Sequence, residues 1–349
     1  MDLHPPVVPE IPIDPFSLDT VRADRFPEAG PLPWLDQDDA DARIDAREAA
    51  GELSADQAAL CRQFRKRGYV ILPGFFDDAA VSGAWDAYEK AIEEGVVTPP
   101  AERSETLDLD VPKRLLNPHF HLPEVAALLR DARALDLISM LLGAQALPFQ
   151  TIIGHKGSQQ RAHSDSIHMT TYPKGYLAAS WIALEDIHPN SGPLIYYPGS
   201  HRLPYALARE CGIGVEEAQG GYGAYHEKYE PFVQNLIAEH GLEPAYFEAK
   251  RGDMLVWHAN LLHGGSPRRD LRWTRKALVC HYFAEGCICY HDYAATLSHL
   301  HHRPVHPIEE SSFDADAYLA ANPDVAAAGV DAYQHYVTFG FKEGRMLRP

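Results

Sequence analysis

His163, Ser164 and Asp165 stand together in this chain, and His263 and then Arg275 follow far downstream. Side chains at i and i+2 of a strand share a face, so one strand can aim His163 and Asp165 at a single metal ion. His263 can add a third donor from a neighbouring strand. Two imidazoles and one carboxylate on one side of an ion leave its other positions open, which is the ligand set of non-haem Fe(II) oxygenases. Those open positions accept a chelating co-substrate and dioxygen. A guanidinium such as that of Arg275 can then grip a distal carboxylate by a two-pronged salt bridge.

Such donors need a rigid β scaffold, and the apolar pattern supplies one. From about residue 145, short apolar runs at 148–153, 166–171, 177–184, 194–197, 254–257 and 276–283 alternate with turn residues. This spacing predicts antiparallel strands in a sandwich or barrel. Residues 204–247 interrupt the strands and are long enough to cover a site mouth as a lid. Before the strands, Ser54 with Gln57 three residues on reads as a capping box that opens a helix closed by Gly68. A short strand at 69–75 and helices at 77–95 and 122–142 follow. Residues 1–52 are rich in Pro, Asp and Ala and read as an extended arm with one short helix near 39–50. The tail, 311–349, reads as a small helical module with helices at 316–321 and 331–339, leaving 53–310 as the catalytic domain.

The 349 residues carry a formal charge of 31 − 49 = −18, which argues against nucleic acid or an anionic membrane surface as a partner. The five cysteines are scattered, which fits free thiols in a reducing compartment. The N-terminal stretch MDLHPPVVPEIPIDPF has neither the basic start nor the apolar run of a secretory signal. A cytoplasmic location is the expectation, and nothing in the sequence sets an oligomeric state.

The strongest sequence signal is the order of short motifs. H-S-D is followed by W-I-A-L-E-D, N-S-G-P-L, P-G-S-H, G-D-M-L, H-G-G-S and R-K-A-L. Across roughly 55–285, this series resembles the phytanoyl-CoA dioxygenase family. The resemblance implies a mainly β fold with flanking helices, a double-stranded β-helix (jelly roll, cupin-like). It also implies an Fe(II)- and 2-oxoglutarate-dependent dioxygenase that hydroxylates a small molecule with O2 and releases succinate and CO2. His163, Asp165 and His263 become the iron ligands, and Arg275 the 2-oxoglutarate clamp, with Arg272 and Arg269 as rivals. Because Asp165 is present, hydroxylation is expected rather than halogenation. Trp181, Gln150 with Thr151, and Ser266 are placed beside the co-substrate, although the family serine often stands one residue earlier, where this chain has Gly265. The family's substrates include acyl-CoA esters, amino-acid-like solutes and natural products.

Substrate contacts are expected from Gln160, His168, Arg114, Tyr222 and Tyr225. Strand parity places His168 an odd number of residues from Asp165, so a regular strand would turn it away from the metal. Lys113 and Arg114 suit an anionic group or merely an open surface. The histidines at 299, 301, 302 and 306 read as a linker rather than a second metal centre. Two other function classes compete: a non-catalytic β-barrel that binds a ligand through its metal, and a zinc hydrolase, for which Glu185 would make a poor base.

Overall fold

Helix α2 (Ala55–Arg67) begins at a reciprocal capping box. Ser54 Oγ accepts from the Gln57 amide at 3.2 Å, and Gln57 Oε1 accepts from the Ser54 amide at 2.9 Å. Gly68 ends the helix in a left-handed conformation, φ 79°, and the chain turns straight into strand β1 (Tyr69–Leu72). The computed structural model describes residues 20–27, 30–97, 114–297, 313–340 and 345. Two compact units divide at Thr296/Leu297.

In the first unit, one six-stranded antiparallel sheet forms the larger wall. Its order is β1, β8 (Met254–His258), β5 (Leu177–Ala183), β10 (Ala277–Ala284), β3 (Ala146–Gly154) and β2 (Leu115–Leu116). The opposing wall includes β6 (Leu194–Tyr196), flanked by β7 (Ala245–Phe247) and β9 (His263–Gly265). Strand β4 (Thr170–Tyr172) pairs with β11 (Ile288–His291). This is a double-stranded β-helix. Trp181, Leu255 and Trp257 of the large sheet and Leu194, Tyr196 and Phe247 of the small one share a buried core between the walls. Burying one such leucine side chain is worth roughly 1.5–3 kcal/mol.

Register decides what faces that interior. Trp257, Ala179 and His281 are cross-strand neighbours on β8, β5 and β10, and Gln150 on β3 continues the row. Two residues along, Leu255, Trp181, Val279 and Ile152 form a second row. Helix α1 (Ala40–Ala49) packs on α2, α3 (Asp78–Glu93) on α4 (Pro123–Leu129), and α5 (Ala132–Leu142) lies against β3, β5 and β10. Asp77 caps α3, accepting from the Ala80 amide at 2.8 Å.

Several expectations change. The segment expected as a strand at 166–171 begins instead as a 3-10 turn, Asp165–Ile167, because the amides of His168 and Met169 both bond back to the Asp165 carbonyl (2.8 and 2.7 Å). The described part of the N-terminal arm is not free. Val21, Phe26, Trp34, Leu35 and Ile44 are buried, and Trp34 Nε1 donates to the Met140 carbonyl at 2.8 Å. Residues 1–19 lie outside the described residues. The segment expected as a lid folds as α6 (Val215–Gln219), a wide helical turn Tyr225–Tyr229 and α7 (Glu230–Glu239), whose apolar side chains pack with Ala162 and Ile167.

The second unit contains α8 (Ala315–Ala321), α9 (Pro323–Ala328) and α10 (Ala332–His335), and a wide turn, Tyr336–Gly340, continues α10. Asp314 and Asp331 cap α8 and α10, accepting from the amides of Ala317 and Gln334. Rings of Phe313, Tyr318, Tyr333 and Tyr336 meet within it. The histidines expected in a linker, at 299, 301, 302 and 306, lie outside the described residues. No helix among the described residues is long and apolar enough to cross a membrane.

Candidate metal centre

His163 and His263 exchange both backbone hydrogen bonds, at 2.9 and 2.8 Å, as an isolated antiparallel bridge beside β9. That pairing sets their rings 4.5 Å apart, centroid to centroid. Gly264 and Gly265 permit the close approach: a Cβ on Gly264 would stand 2.6 Å from the Gln160 carbonyl, and one on Gly265 2.5 Å from Ser158 Oγ. Asp165 follows two residues after His163 and opens the 3-10 turn. One donor atom from each of His163, Asp165 and His263 lies within 4.8 Å of the others, and all three residues are buried.

The tautomers follow from the partners. His163 Nδ1 lies 2.9 Å from the Arg161 carbonyl, and His263 Nδ1 lies 2.9 Å from the Leu261 carbonyl. A carbonyl only accepts, so each Nδ1 carries the proton and each Nε2 keeps its lone pair. Burial, followed by the charge of His263, pushes His163 down to about 3, so it stays neutral at physiological pH. For Asp165, burial acts to raise the carboxyl, but the imidazoles of His263, His281 and His163 outweigh it and hold it well below the usual range. With each Nδ1 turned to a carbonyl, the centre presents two Nε2 atoms and one carboxylate oxygen, a set suited to a divalent transition metal.

One residue of the large sheet fixes the carboxylate and a second lies near it. Trp257 Nε1 donates to Asp165 Oδ2 at 2.8 Å, and His281 Nε2 stands 3.8 Å from Oδ1. Between them in the row stands Ala179, whose small side chain leaves the room that Asp165 needs. Tyr229, at the end of the wide turn before α7, accepts the Ser164 amide at 3.0 Å, tying down the residue between two donors.

Arg275 enters just before β10, where its amide bonds the His155 carbonyl at 2.7 Å. Its side chain is buried, with Nη1 donating to the Gly192 carbonyl at 3.1 Å and the guanidinium 5.8 Å from the Trp181 ring centroid. Its Nε is buried with no partner among the described residues. Burial, then the charges of Arg114 and Arg268, push its pKa down to about 9. A buried cation with an unmet donor is a receptor for an anion.

A family model, Phytanoyl-CoA dioxygenase (PhyH), matches residues 64–277. The chain belongs to the phytanoyl-CoA dioxygenase family. The mouse peroxisomal phytanoyl-CoA dioxygenase is 29% identical over 140 residues, covering 39% of this chain and 37% of that protein. The chain thus matches little more than a third of that relative's length. An ectoine dioxygenase of Sphingopyxis alaskensis is 26% identical over 225 residues, covering 61% of this chain and 71% of the relative. Among solved structures, the epimerase SnoN in complex with Fe3+, alpha ketoglutarate and nogalamycin RO matches with a TM-score of 0.54 at 18% identity. It covers 67% of this chain and 86% of its own. EctD from S. alaskensis with 2-oxoglutarate and 5-hydroxyectoine matches with a TM-score of 0.51 at 22% identity, covering 66% and 76%. These two likenesses speak to the fold.

On this phytanoyl-CoA dioxygenase scaffold the remaining residues singled out from the sequence divide into groups. Trp181 is buried beneath Arg275 and packs edge-on against Phe247. Gln150 continues the inner row, its Nε2 3.4 Å from His281 Nδ1, and Thr151 Oγ1 contacts His119 Nδ1 at 2.7 Å. Ser266 departs from expectation: its hydroxyl donates to the Pro193 carbonyl at 2.7 Å and so ties two loops. Arg269 and Arg272 are exposed, and Arg272 pairs with Asp270, so neither rivals the buried Arg275. Arg114 Nη1 donates to Gln160 Oε1 at 3.3 Å, while Lys113 lies outside the described residues.

The parity argument for His168 fails, because the 3-10 turn replaces the strand. The His168 ring stands 6.0 Å from that of His163 and stacks on Tyr225 at 5.2 Å. Tyr222, half-exposed, stacks on Tyr293 at 5.4 Å and approaches His168 at 6.1 Å. Trp257, His281, Tyr229 and Arg268 were not singled out. A signal existed for His281, since the period-2 run Ala277, Val279 ends on it. The Arg268 loop and the Tyr229 contact leave no such mark.

Proposed function

We propose that this chain is an Fe(II)- and 2-oxoglutarate-dependent dioxygenase that hydroxylates a small molecule. His163, Asp165 and His263 would hold the metal, and Arg275 the far carboxylate of 2-oxoglutarate. The observation that carries this reading is the donor set: two imidazoles with Nδ1 tied to carbonyls and Nε2 free, converging with a carboxylate held by Trp257. Bound Fe(II), with 2-oxoglutarate and O2, supplies the oxidising chemistry and releases succinate and CO2. The chain's own residues do the rest. Trp257 and His281 keep Asp165 aimed, and the unmet Nε of Arg275 selects a dicarboxylate. Buried Trp181 and Phe247 keep water from the co-substrate arm, which strengthens every charge contact there.

The substrate side is bounded by Arg114, Gln160, His168, Tyr222 and Tyr225, a wall that combines aromatic faces with one cation and one amide. Such a wall suits a soluble polar small molecule with an unsaturated or flat portion. The test is direct. Anaerobic protein given Fe(II) and 2-oxoglutarate should develop a weak visible charge-transfer band, and admitting air with substrate should yield one succinate per hydroxylated product. Asp165→Ala should lose both. Near-normal hydroxylation by that variant would refute the ligand assignment, and neither band nor succinate from the unaltered chain would refute the activity.

A further inference from the structure

Arg268 is buried, and its Nε and Nη2 have no partner among the described residues. It makes no ion pair with a described carboxylate, and its backbone amide is fixed by Gln159 Oε1 at 3.0 Å. Its stem crosses Gly192 and Gly157: a Cβ on Gly192 would stand 2.9 Å from Arg268 Cγ, and one on Gly157 3.4 Å from it. The Gly192 carbonyl is the group to which Arg275 Nη1 donates. Both arginines therefore meet at one residue of the N-S-G-P turn, and each leaves at least one buried donor unmet.

We propose that Arg268 is a second guanidinium for the distal carboxylate of the dicarboxylate co-substrate, acting beside Arg275. The inference rests on the co-substrate reading above. A carboxylate has about four acceptor positions, so it can satisfy donors from two guanidiniums at once. Two buried cations that both pack against Gly192 repel each other until an anion enters to pair with them. The same closeness accounts for part of the lowered proton affinity of Arg275. The two glycines are what make room for the second stem.

The test is equilibrium binding to the full chain, loaded with Fe(II) under anaerobic conditions and followed by calorimetry. The probes are 2-oxoglutarate and 2-oxobutanoate, which has the same chelating end but no distal carboxylate. Arg268→Gln should weaken 2-oxoglutarate by about tenfold or more, the loss expected for charge-assisted hydrogen bonds. It should leave 2-oxobutanoate unchanged. Equal affinity of variant and unaltered chain for 2-oxoglutarate would overturn the proposal, as would an equal loss for both keto acids. Should Arg268→Gln fail to fold, Arg268→Lys reads the same ratio of the two affinities, and an unaltered ratio again overturns it. Arg275→Gln serves as the separate control. If that variant loses 2-oxoglutarate while Arg268→Gln keeps it, only the present inference falls. If the unaltered chain binds no 2-oxoglutarate, the reading beneath it falls as well.

Discussion

Trp257→Phe isolates the contact that fixes the metal-binding carboxylate. Phenylalanine keeps the aromatic body in the core but removes the indole N–H that donates to Asp165 Oδ2 at 2.8 Å. Trp257 is 2% exposed, so water cannot replace the lost donor. A buried hydrogen bond to a charged group is worth about 1.5–3 kcal/mol. At about 1.4 kcal/mol per tenfold, that converts to a loss of metal affinity on the order of 10- to 150-fold. Partners of metal ligands commonly cost 10- to 100-fold when removed, so two independent routes agree. The assay is anaerobic Fe(II) titration, with Mn(II) as a redox-silent check, and a thermal melt of metal-free protein to confirm folding. A variant that folds normally and binds metal within twofold of the unaltered chain would refute the claim that Trp257 orients Asp165.

Four further outcomes follow from the same geometry. Tyr229→Phe leaves the buried Ser164 amide without its acceptor, which should cost about 1–3 kcal/mol in urea unfolding and weaken metal binding; no change in either would mean the contact carries no energy. Ala179→Leu fills the space between Trp257 and His281, so it should destabilise the fold by about 1–3 kcal/mol and loosen the metal, whereas a variant with native metal affinity would show that the row has slack. Gly192→Ala places a Cβ 2.8 Å from the Ser266 carbonyl at φ 81°, and a loss of about 1–3 kcal/mol by calorimetry is expected, with an unchanged melting temperature as the contrary result. His201 is pushed down to about 3 by burial and the nearby His258 charge, against an ordinary 6.5, so the unfolded chain takes up a proton that the folded chain refuses. Its contribution is full above about pH 6.5 and is lost as pH falls toward 3; His201→Gln should flatten the pH dependence of the urea midpoint below 6.5, and parallel profiles would count against it.

Much of this architecture is written locally in the chain. The capping box at Ser54 and Gln57 specifies a helix start by itself, because its two halves are only three residues apart. The strand periodicity in β5 and β10 gives the inward face, and with it Trp181 and, by continuation, His281. What the sequence hid is whatever depends on a turn or on a contact between distant segments. Asp165 leads a 3-10 turn because two successive amides fold back on its carbonyl, and no pattern of apolar residues signals that. The parity argument for His168 held only for a regular strand, and the turn replaces that strand. Ser266 was read from its neighbours in sequence, yet its hydroxyl is taken by Pro193, more than seventy residues away. Arg268 sits among four arginines in a short stretch, and only burial separates it from Arg269 and Arg272.

The bridge between His163 and His263 has a consequence for how such an enzyme can diversify. Both imidazoles are placed by one reciprocal pair of main-chain hydrogen bonds, so their spacing is indifferent to how much chain runs between them. Helices α6 and α7 can lengthen, shorten or be rebuilt without shifting the donors, so long as an acceptor reaches the Ser164 amide as Tyr229 now does. The protein separates the durable part of its chemistry from the interchangeable part, and it does so with a two-residue ladder.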